Sequence, residues 1–338
     1  MLYKAVRPLL FACDAEVSHE VTLWTLKKLG QFGFFNHAKP LSQHPVTCFN
    51  LTFANPLGLA AGLDKNADCI PAWSAMGFGF VEVGTVTPKP QLGNPKPRLF
   101  RLANHSAIIN RMGFNNKGVD YLVSRLQQMQ ATCPIGVNIG KNKDTELNNA
   151  WQDYVTCYQK VYPFADYVTV NISSPNTPEL RKLQQGDLLK SILVPLKHEQ
   201  RLLAEKYHKA VPILVKIAPD LTDDELFTLL DDLLALQIEG IIASNTTIER
   251  PAYLKSPQRD EVGGLSGEPL FERSTRMIQT IYQRVGESLP IVAAGGIMSS
   301  KQANAKLAAG AKLIQIYSGL IYQGPGLVKE IISQLPTN

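Results

Sequence analysis

Residues 213–245 read ILVKIAPDLTDDELFTLLDDLLALQIEGIIASN. The stretch begins with one apolar run, ILVKIA (213–218), and ends with another, GIIASN (240–245). Between them Thr222 stands three residues before Glu225. At that spacing a threonine hydroxyl and a glutamate carboxylate bond each other's backbone N–H and start a helix. The pattern predicts a helix over 222–236 between two strands. Both strands are continuously apolar rather than alternating, as strands buried on both faces of a parallel sheet are. Yet Lys216 interrupts the first run, and Ser244, Asn245 and Thr246 close the second.

The same rhythm extends in both directions. GLAAG (58–62), FVEVGTV (80–86), IGVNIG (135–140), YVTVNI (167–172), PIVAAGG (290–296) and LIQIYSG (313–319) read as further strands. Residues 116–130, 144–161, 186–208, 269–285 and 299–309 read as further helices. Eight strands with intervening helices over about 260 residues have the size and order of an α/β fold of the (β/α)8 TIM barrel kind. An open doubly wound sheet is the competing arrangement, but its usual G-x-G-x-x-G after the first strand is absent.

Residues 1–39 fall outside that rhythm and read as a small N-terminal two-helix extension, leaving 40–338 for the barrel. In MLYKAVRPLLFACD, Leu2, Val6, Leu9 and Leu10 share a side that Lys4, Arg7 and Asp14 avoid. The second segment turns Val17, Val21, Trp24 and Leu29 towards one face and Leu23 and Leu26 off it, so it can touch two apolar surfaces at once. Two helices of this kind either close the end of a barrel or lie on a membrane.

The bulk numbers exclude several classes. A chain of 338 residues, 45% hydrophobic and 19% charged, suits one large domain with a small appendage. The net charge of +5, from 34 basic and 29 acidic residues spread along the chain, gives no support to nucleic-acid binding. Five cysteines, widely spaced and never in a CxxC pair, predict a reduced intracellular protein without a disulfide framework or a metal site. The first apolar stretch, PLLFAC, is too short for a signal peptide, and the charge-free run 40–63 is broken by prolines, asparagines and glycines. A soluble or peripheral protein is expected.

In a (β/α)8 barrel the active site lies at the carboxyl ends of the strands. There the sequence places Asp64, Lys65 and Asn66 after the first strand and Thr85 at the end of the second. Asn138 lies in the third, Asn171, Ser173 and Ser174 end the fourth, and Lys216 lies in the fifth. An amide or ammonium buried unpaired in such runs would cost several kcal/mol. Repeated at matching strand ends, these residues describe a donor- and acceptor-rich pocket with two cations, suited to a planar heterocycle and a carboxylate or phosphate. GGLSGEPL (263–270), AAGGIMS (293–299) and IYSGL (316–320) bring glycines near helix starts, where backbone N–H groups can approach a phosphate. NISSPNTPELR (171–181) crowds turn residues directly after a strand, more of them than a turn needs.

With these stretches in view the chain resembles the dihydroorotate dehydrogenases, and more narrowly their quinone-linked, membrane-associated class, over essentially its whole length. The matching motifs are NPLGLAAGLDKN (55–66), GFVEVGTVTPKPQLGNPKPRLFRL (79–102), INRMGFNNKG (109–118), NISSPNTPELR, VKIAPDL (215–221), SNTT (244–247), GGLSG (263–267) and VAAGGI (292–297). Glu179 departs from the pattern, standing where many relatives have glycine.

The resemblance implies oxidation of (S)-dihydroorotate to orotate in pyrimidine biosynthesis, with a hydride passing to FMN and electrons then to ubiquinone or menaquinone. It places FMN against Ala61, Gly62, Leu63, Asp64 and Lys65, with Thr85, Asn138, Asn171, Lys216 and Ser244 around the ring. The phosphate would meet Gly267, Gly296, Tyr317 and Ser318. Substrate would meet Lys65, the stretch Asn110, Arg111, Met112, Gly113 and Phe114, and the group Asn171, Asn176, Asn245 and Thr246. Ser174 becomes the base, relayed by a water or Thr177 and held by Pro175 and Pro178. Soluble relatives carry cysteine there and pass electrons to fumarate or NAD. Serine at this position, with the N-terminal helices, implies a quinone acceptor, with His19 and Arg101 as contacts for its head. Such a protein would sit peripherally on the cytoplasmic face of the inner membrane. A barrel lyase or isomerase using Lys216 or Lys65 as a Schiff-base amine is a competing reading, and a non-catalytic membrane scaffold another.

Overall fold

The computed structural model describes residues 2–35, 44–129 and 131–336. The strand–helix–strand unit is present as Ile213–Ile217, Asp223–Ala235 and Gly240–Ala243. Both capping bonds form: Glu225 N donates to Thr222 Oγ1 at 3.3 Å and Thr222 N to Glu225 Oε2 at 2.9 Å. The other barrel strands are Leu57–Leu59, Phe80–Val86, Ile135–Ile139, Tyr167–Asn171, Ile291–Ala294 and Leu313–Ile316. Together the eight form a closed barrel, each strand parallel to its neighbours in sequence, and Ile314 pairs with Leu57 to close the ring. The sixth strand stops at Ala243, short of the expected Asn245. Beyond it Ser244 N and Asn245 N still donate to Ala294 O and Ile217 O at 3.1 and 2.9 Å, and the Thr246 N–H turns to the Asn245 side chain at 2.7 Å.

The amino end of the barrel is sealed by apolar side chains. Phe53, Phe80, Tyr167, Leu214, Ile242, Val292 and Leu313 form one buried cluster there. Phe53 comes from an antiparallel hairpin, Val46–Cys48 with Leu51–Phe53, which three-residue strands left without a readable period. A second unforeseen element, the antiparallel sheet of Leu99–Leu102, Ala107–Asn110 and Gly264–Gly267, lies over the opposite end.

The N-terminal extension is present as α1 (Leu2–Ala12) and α2 (Ala15–Gln31). Its expected boundary between residues 39 and 40 lies outside the described residues. Asp14 caps α2 by accepting from Glu16 N at 2.9 Å and Val17 N at 3.0 Å. Leu23 and Leu26 pack against the barrel core, while Leu9, Val17, Val21 and Trp24 face outward. No described helix is long and apolar enough to cross a membrane.

One buried ion pair fastens α2 to the barrel. Glu16 and Arg98 are 3% and 7% exposed, and Arg98 Nη2 donates to Glu16 Oε1 at 2.7 Å. Burial alone would raise the Glu16 carboxyl, but the Arg98 hydrogen bonds and charge hold it below its ordinary 4.5. Removing one member of such a pair leaves the other charge buried and costs about 3–5 kcal/mol. Glu16→Ala should therefore lower the unfolding midpoint in a denaturant titration and expose α1 and α2 to protease. Because the carboxyl is held low, that stability is complete at neutral pH. The gap between variant and wild type should narrow as pH falls below the ordinary carboxylate value.

Candidate active site

The strand ends converge on a cavity at the carboxyl mouth of the barrel. Ala61, Gly62 and Lys65 line it after the first strand, and Thr85 in the second. The fourth strand and its loop contribute Asn171, Ser174 and Asn176, the fifth Lys216, and the sixth Ser244, Asn245 and Thr246. Gly296, Tyr317 and Ser318 line one end, while Gly267 and the stretch with Asn110, Met112, Gly113 and Phe114 close over it.

Four residues expected to touch ligand do not line this cavity. Arg111 turns outward to an ion pair with Glu261 at 2.6 Å. Asp64 is buried beneath, accepting from Asp68 N and Cys69 N at 2.8 Å and Trp73 Nε1 at 3.1 Å, so it shapes the loop that carries Lys65. Leu63 faces a second cavity. Asn138 lies one layer deeper, fully buried, where it donates from Nδ2 to Glu82 Oε1 at 2.8 Å.

That last bond orients the cavity floor. Glu82 also takes hydrogen bonds from Tyr167, Thr169 and Gln315 at 3.1, 3.2 and 2.8 Å. A carboxylate accepts only, so Asn138 must present its Oδ1 upward. There it receives Thr85 Oγ1 at 2.6 Å and Asn171 Nδ2 at 3.1 Å. Asn171 Oδ1 in turn accepts from Ser173 Oγ at 3.2 Å, and Asn245 Nδ2 donates to that hydroxyl at 3.0 Å. The sequence reading missed Glu82, although a charge inside FVEVGTV is the same signal that singles out Lys216.

The two cations are buried differently. Lys216 pairs in register with Asn171, and its ammonium has no hydrogen bond or ion pair among the described residues. Burial pushes its pKa down, opposed by the charge of Glu82. Lys65 donates to Asn115 Oδ1, and burial together with the Arg98 charge pushes it down to about 7.

The loop after the fourth strand is held from both sides. Ser174 is 6% exposed and its Oγ accepts from Asn176 N at 3.2 Å. Arg181 donates to Ser173 O at 3.1 Å, Thr246 O at 2.9 Å and Asp220 Oδ2 at 2.7 Å, tying this loop to the next two strand ends. Glu179 has φ of 55°, the left-handed region that glycine enters most easily. Its departure from the family pattern therefore falls on a turn that glycine would suit. The hydroxyls of Thr177 and Thr246 are buried without a partner among the described residues.

A second cavity of about 390 Å³ lies between α1, α2 and the barrel, lined by residues such as Leu10, Leu26, Met76 and Leu320. Tyr317 borders both cavities. His19 lines the second, where burial and then the Lys65 charge push its pKa down to about 4. Arg101 lines it too, but donates to Leu10 O at 2.8 Å and to the Cys13 carbonyl, so it also holds the α1–α2 connection.

The fold and site are those of a barrel that can hold a planar heterocycle and an anionic group beside an apolar second chamber. Residues 44–338 match the sequence model of the family described as Dihydroorotate dehydrogenase. A Vibrio cholerae protein named "Dihydroorotate dehydrogenase (quinone)" is 52% identical over 337 residues, 99% of this chain and all of that one. An Acinetobacter baylyi protein of the same name is 49% identical over 335 residues, again 99% of this chain and all of that one. A solved structure of ligand-free DHODH from Eimeria tenella superposes with a TM-score of 0.87 at 42% identity, covering 95% of this chain and 94% of that one. The chain belongs to the dihydroorotate dehydrogenase family, in its quinone-linked class.

Proposed function

We propose that this protein oxidises dihydroorotate to orotate at the barrel mouth and delivers the electrons to a quinone in the second cavity. The observation that carries this reading is the pair of adjoining chambers, one polar and cationic, one apolar, meeting at Tyr317. Bound FMN would supply the two-electron acceptor between them. Its fit is supported by residues of the cavity itself. Gly295 and Gly296 have φ of 106° and 79°, and a Cβ at Gly296 would fall 2.4 Å from Phe271 Cα, so a bare backbone lines the phosphate end. The unpartnered Lys216 ammonium suits the negative charge of a reduced ring, and the aligned amides suit its polar edges.

For substrate, Lys65 would hold the carboxylate and Asn110, Asn176 and Asn245 the ring amides. Asn176 Nδ2 already donates to Asn110 Oδ1 at 3.2 Å, which joins the two sides of the mouth. Ser174 Oγ would take the ring proton, with the unpartnered Thr177 hydroxyl as a relay. No described cysteine lines the cavity: Cys157 is buried on the helix Ala150–Val161 and Cys133 lies against Ser74. Residues 1–39 would form a separate quinone-tunnel domain, resting through Leu9, Val21 and Trp24 on the cytoplasmic face of the inner membrane.

Two rapid-mixing half-reactions test the chemistry. Ser174→Ala should retain bound FMN but reduce it with dihydroorotate at least about 100-fold more slowly. A wild-type rate would remove Ser174 from the reaction. Binding of orotate, an anion throughout the range, should weaken as pH rises above about 7, where Lys65 loses its proton. In Lys65→Met that slope should vanish. Glutamates at Leu9 and Trp24 should weaken vesicle binding and slow reoxidation by lipid-dissolved quinone, while sparing reduction by dihydroorotate. Unchanged reoxidation would refute the membrane-fed tunnel.

A further inference from the structure

Lys306 is fully buried, at 0% exposure, on the helix Ser300–Ala308. No carboxylate among the described residues meets it. Its ammonium donates to Ser274 Oγ at 2.5 Å and to Phe271 O at 3.2 Å, and it lies 5.0 Å from the centre of the Phe271 ring. All these partners are neutral, an arrangement that costs free energy unless another charge compensates it.

Its surroundings point to where that charge comes from. Ser274 Oγ, which accepts from the ammonium, has one proton to give and lies 2.8 Å from Leu270 O and 3.0 Å from Gly295 O, so the hydroxyl stands between the ammonium and the glycine turn. A Cβ at Gly296 would fall 2.5 Å from Phe271 N, so the turn packs directly on the start of the helix Phe271–Val285. Gly295 and Gly296 line the cavity, whereas Phe271, Ser274 and Lys306 behind them do not. We propose that Lys306 is the counter-charge behind the Gly295–Gly296 turn, and that it sets the preference of the site for a phosphorylated flavin over the same flavin without phosphate. This rests on the reading of the cavity as an FMN site. The glycine backbone gives a phosphate room and donors, and Lys306 gives it a fixed positive field through a dry contact.

Charges on the packed elements are engaged elsewhere. Arg273 pairs with Glu249 and Asp220, Arg284 with Asp231, and Lys312 with Glu287. Glu330 accepts from Ser300, and Glu272, Arg276, Lys301 and Lys329 are exposed. Burial is the one cause that displaces the Lys306 proton, pushing its pKa down to about 7. A bound dianion would raise it again. Binding of the phosphorylated flavin therefore takes up a proton above about pH 7, where the phosphate itself has already ionised.

The test titrates full-length protein, freed of flavin, with FMN and with riboflavin and follows quenching of flavin fluorescence. Lys306→Met should weaken FMN by about tenfold or more and riboflavin by less than about threefold. Equal losses for both ligands, or none for either, would overturn the assignment. If that variant does not fold, wild-type protein decides: its preference for FMN should fall between pH 7 and pH 9, and a constant ratio would overturn it. A wild-type protein that binds neither flavin would overturn the cofactor reading together with this one.

Discussion

Glu82 stands at the centre of the barrel with no water-exposed surface and takes hydrogen bonds from Asn138, Tyr167, Thr169 and Gln315. An ion so buried is tolerated only where its acceptor sites are filled with good geometry. The return is direction. Because the carboxylate cannot donate, each amide that touches it has a single orientation, and Asn138 passes that orientation to Thr85 and Asn171. The cost is visible in Gln315, whose Nε2 faces the carboxylate while its Oε1 is left buried without a partner among the described residues. A floor ordered in this way needs no rearrangement when a polar ring settles on it, which is the condition for electrostatic stabilisation at low expense.

The same logic accounts for the cations. Lys65 and Lys216 sit where burial depresses their protonation, so each is poised to respond to an arriving negative charge. Lys216 shares the barrel interior with Glu82, which favours its charged form without contacting it. Lys65 has the Glu16 charge in its favour, but the Arg98 charge outweighs it, and His19 lies near on the side facing the second cavity. The site thus grades from a compensated cation under the proposed ring to a labile one at its rim.

Much of this was legible in the sequence. Strands buried on both faces announce themselves as unbroken apolar runs, and the residues that interrupt those runs at their ends, Lys216, Asn171, Asn245 and Thr246, line the cavity. The short elements were not legible: a hairpin of three-residue strands has no period to read, and the sheet over the barrel mouth joins Gly264–Gly267 to strands more than 150 residues earlier. Side-chain direction was also hidden. Arg111 lies within a motif that touches the cavity at Asn110 and Met112, yet it points to Glu261 because alternate residues of an extended chain face opposite ways. Lys306 was missed for a different reason, since a lysine in a polar helix carries no sign of burial until the helix is docked.

The N-terminal helices show why an extension outside the barrel's rhythm is worth its instability. α2 must hold the barrel firmly enough to wall a cavity and still leave an apolar flank uncovered. It does both by dividing its circumference: Glu16 on Arg98, with Leu23 and Leu26 on the core, anchors one side, and Val17, Val21 and Trp24 leave the other apolar and open. A helix held only by apolar contact would be free to trade the barrel for a lipid surface, because both offer the same hydrophobic gain. The ion pair breaks that symmetry. Its charge is satisfied against the barrel and nowhere in lipid, so the anchored side stays on the protein and the exposed flank, where Val17, Val21 and Trp24 stand with Lys28, is the one left open. The second cavity lies under this divided helix, with Tyr317 between it and the polar mouth.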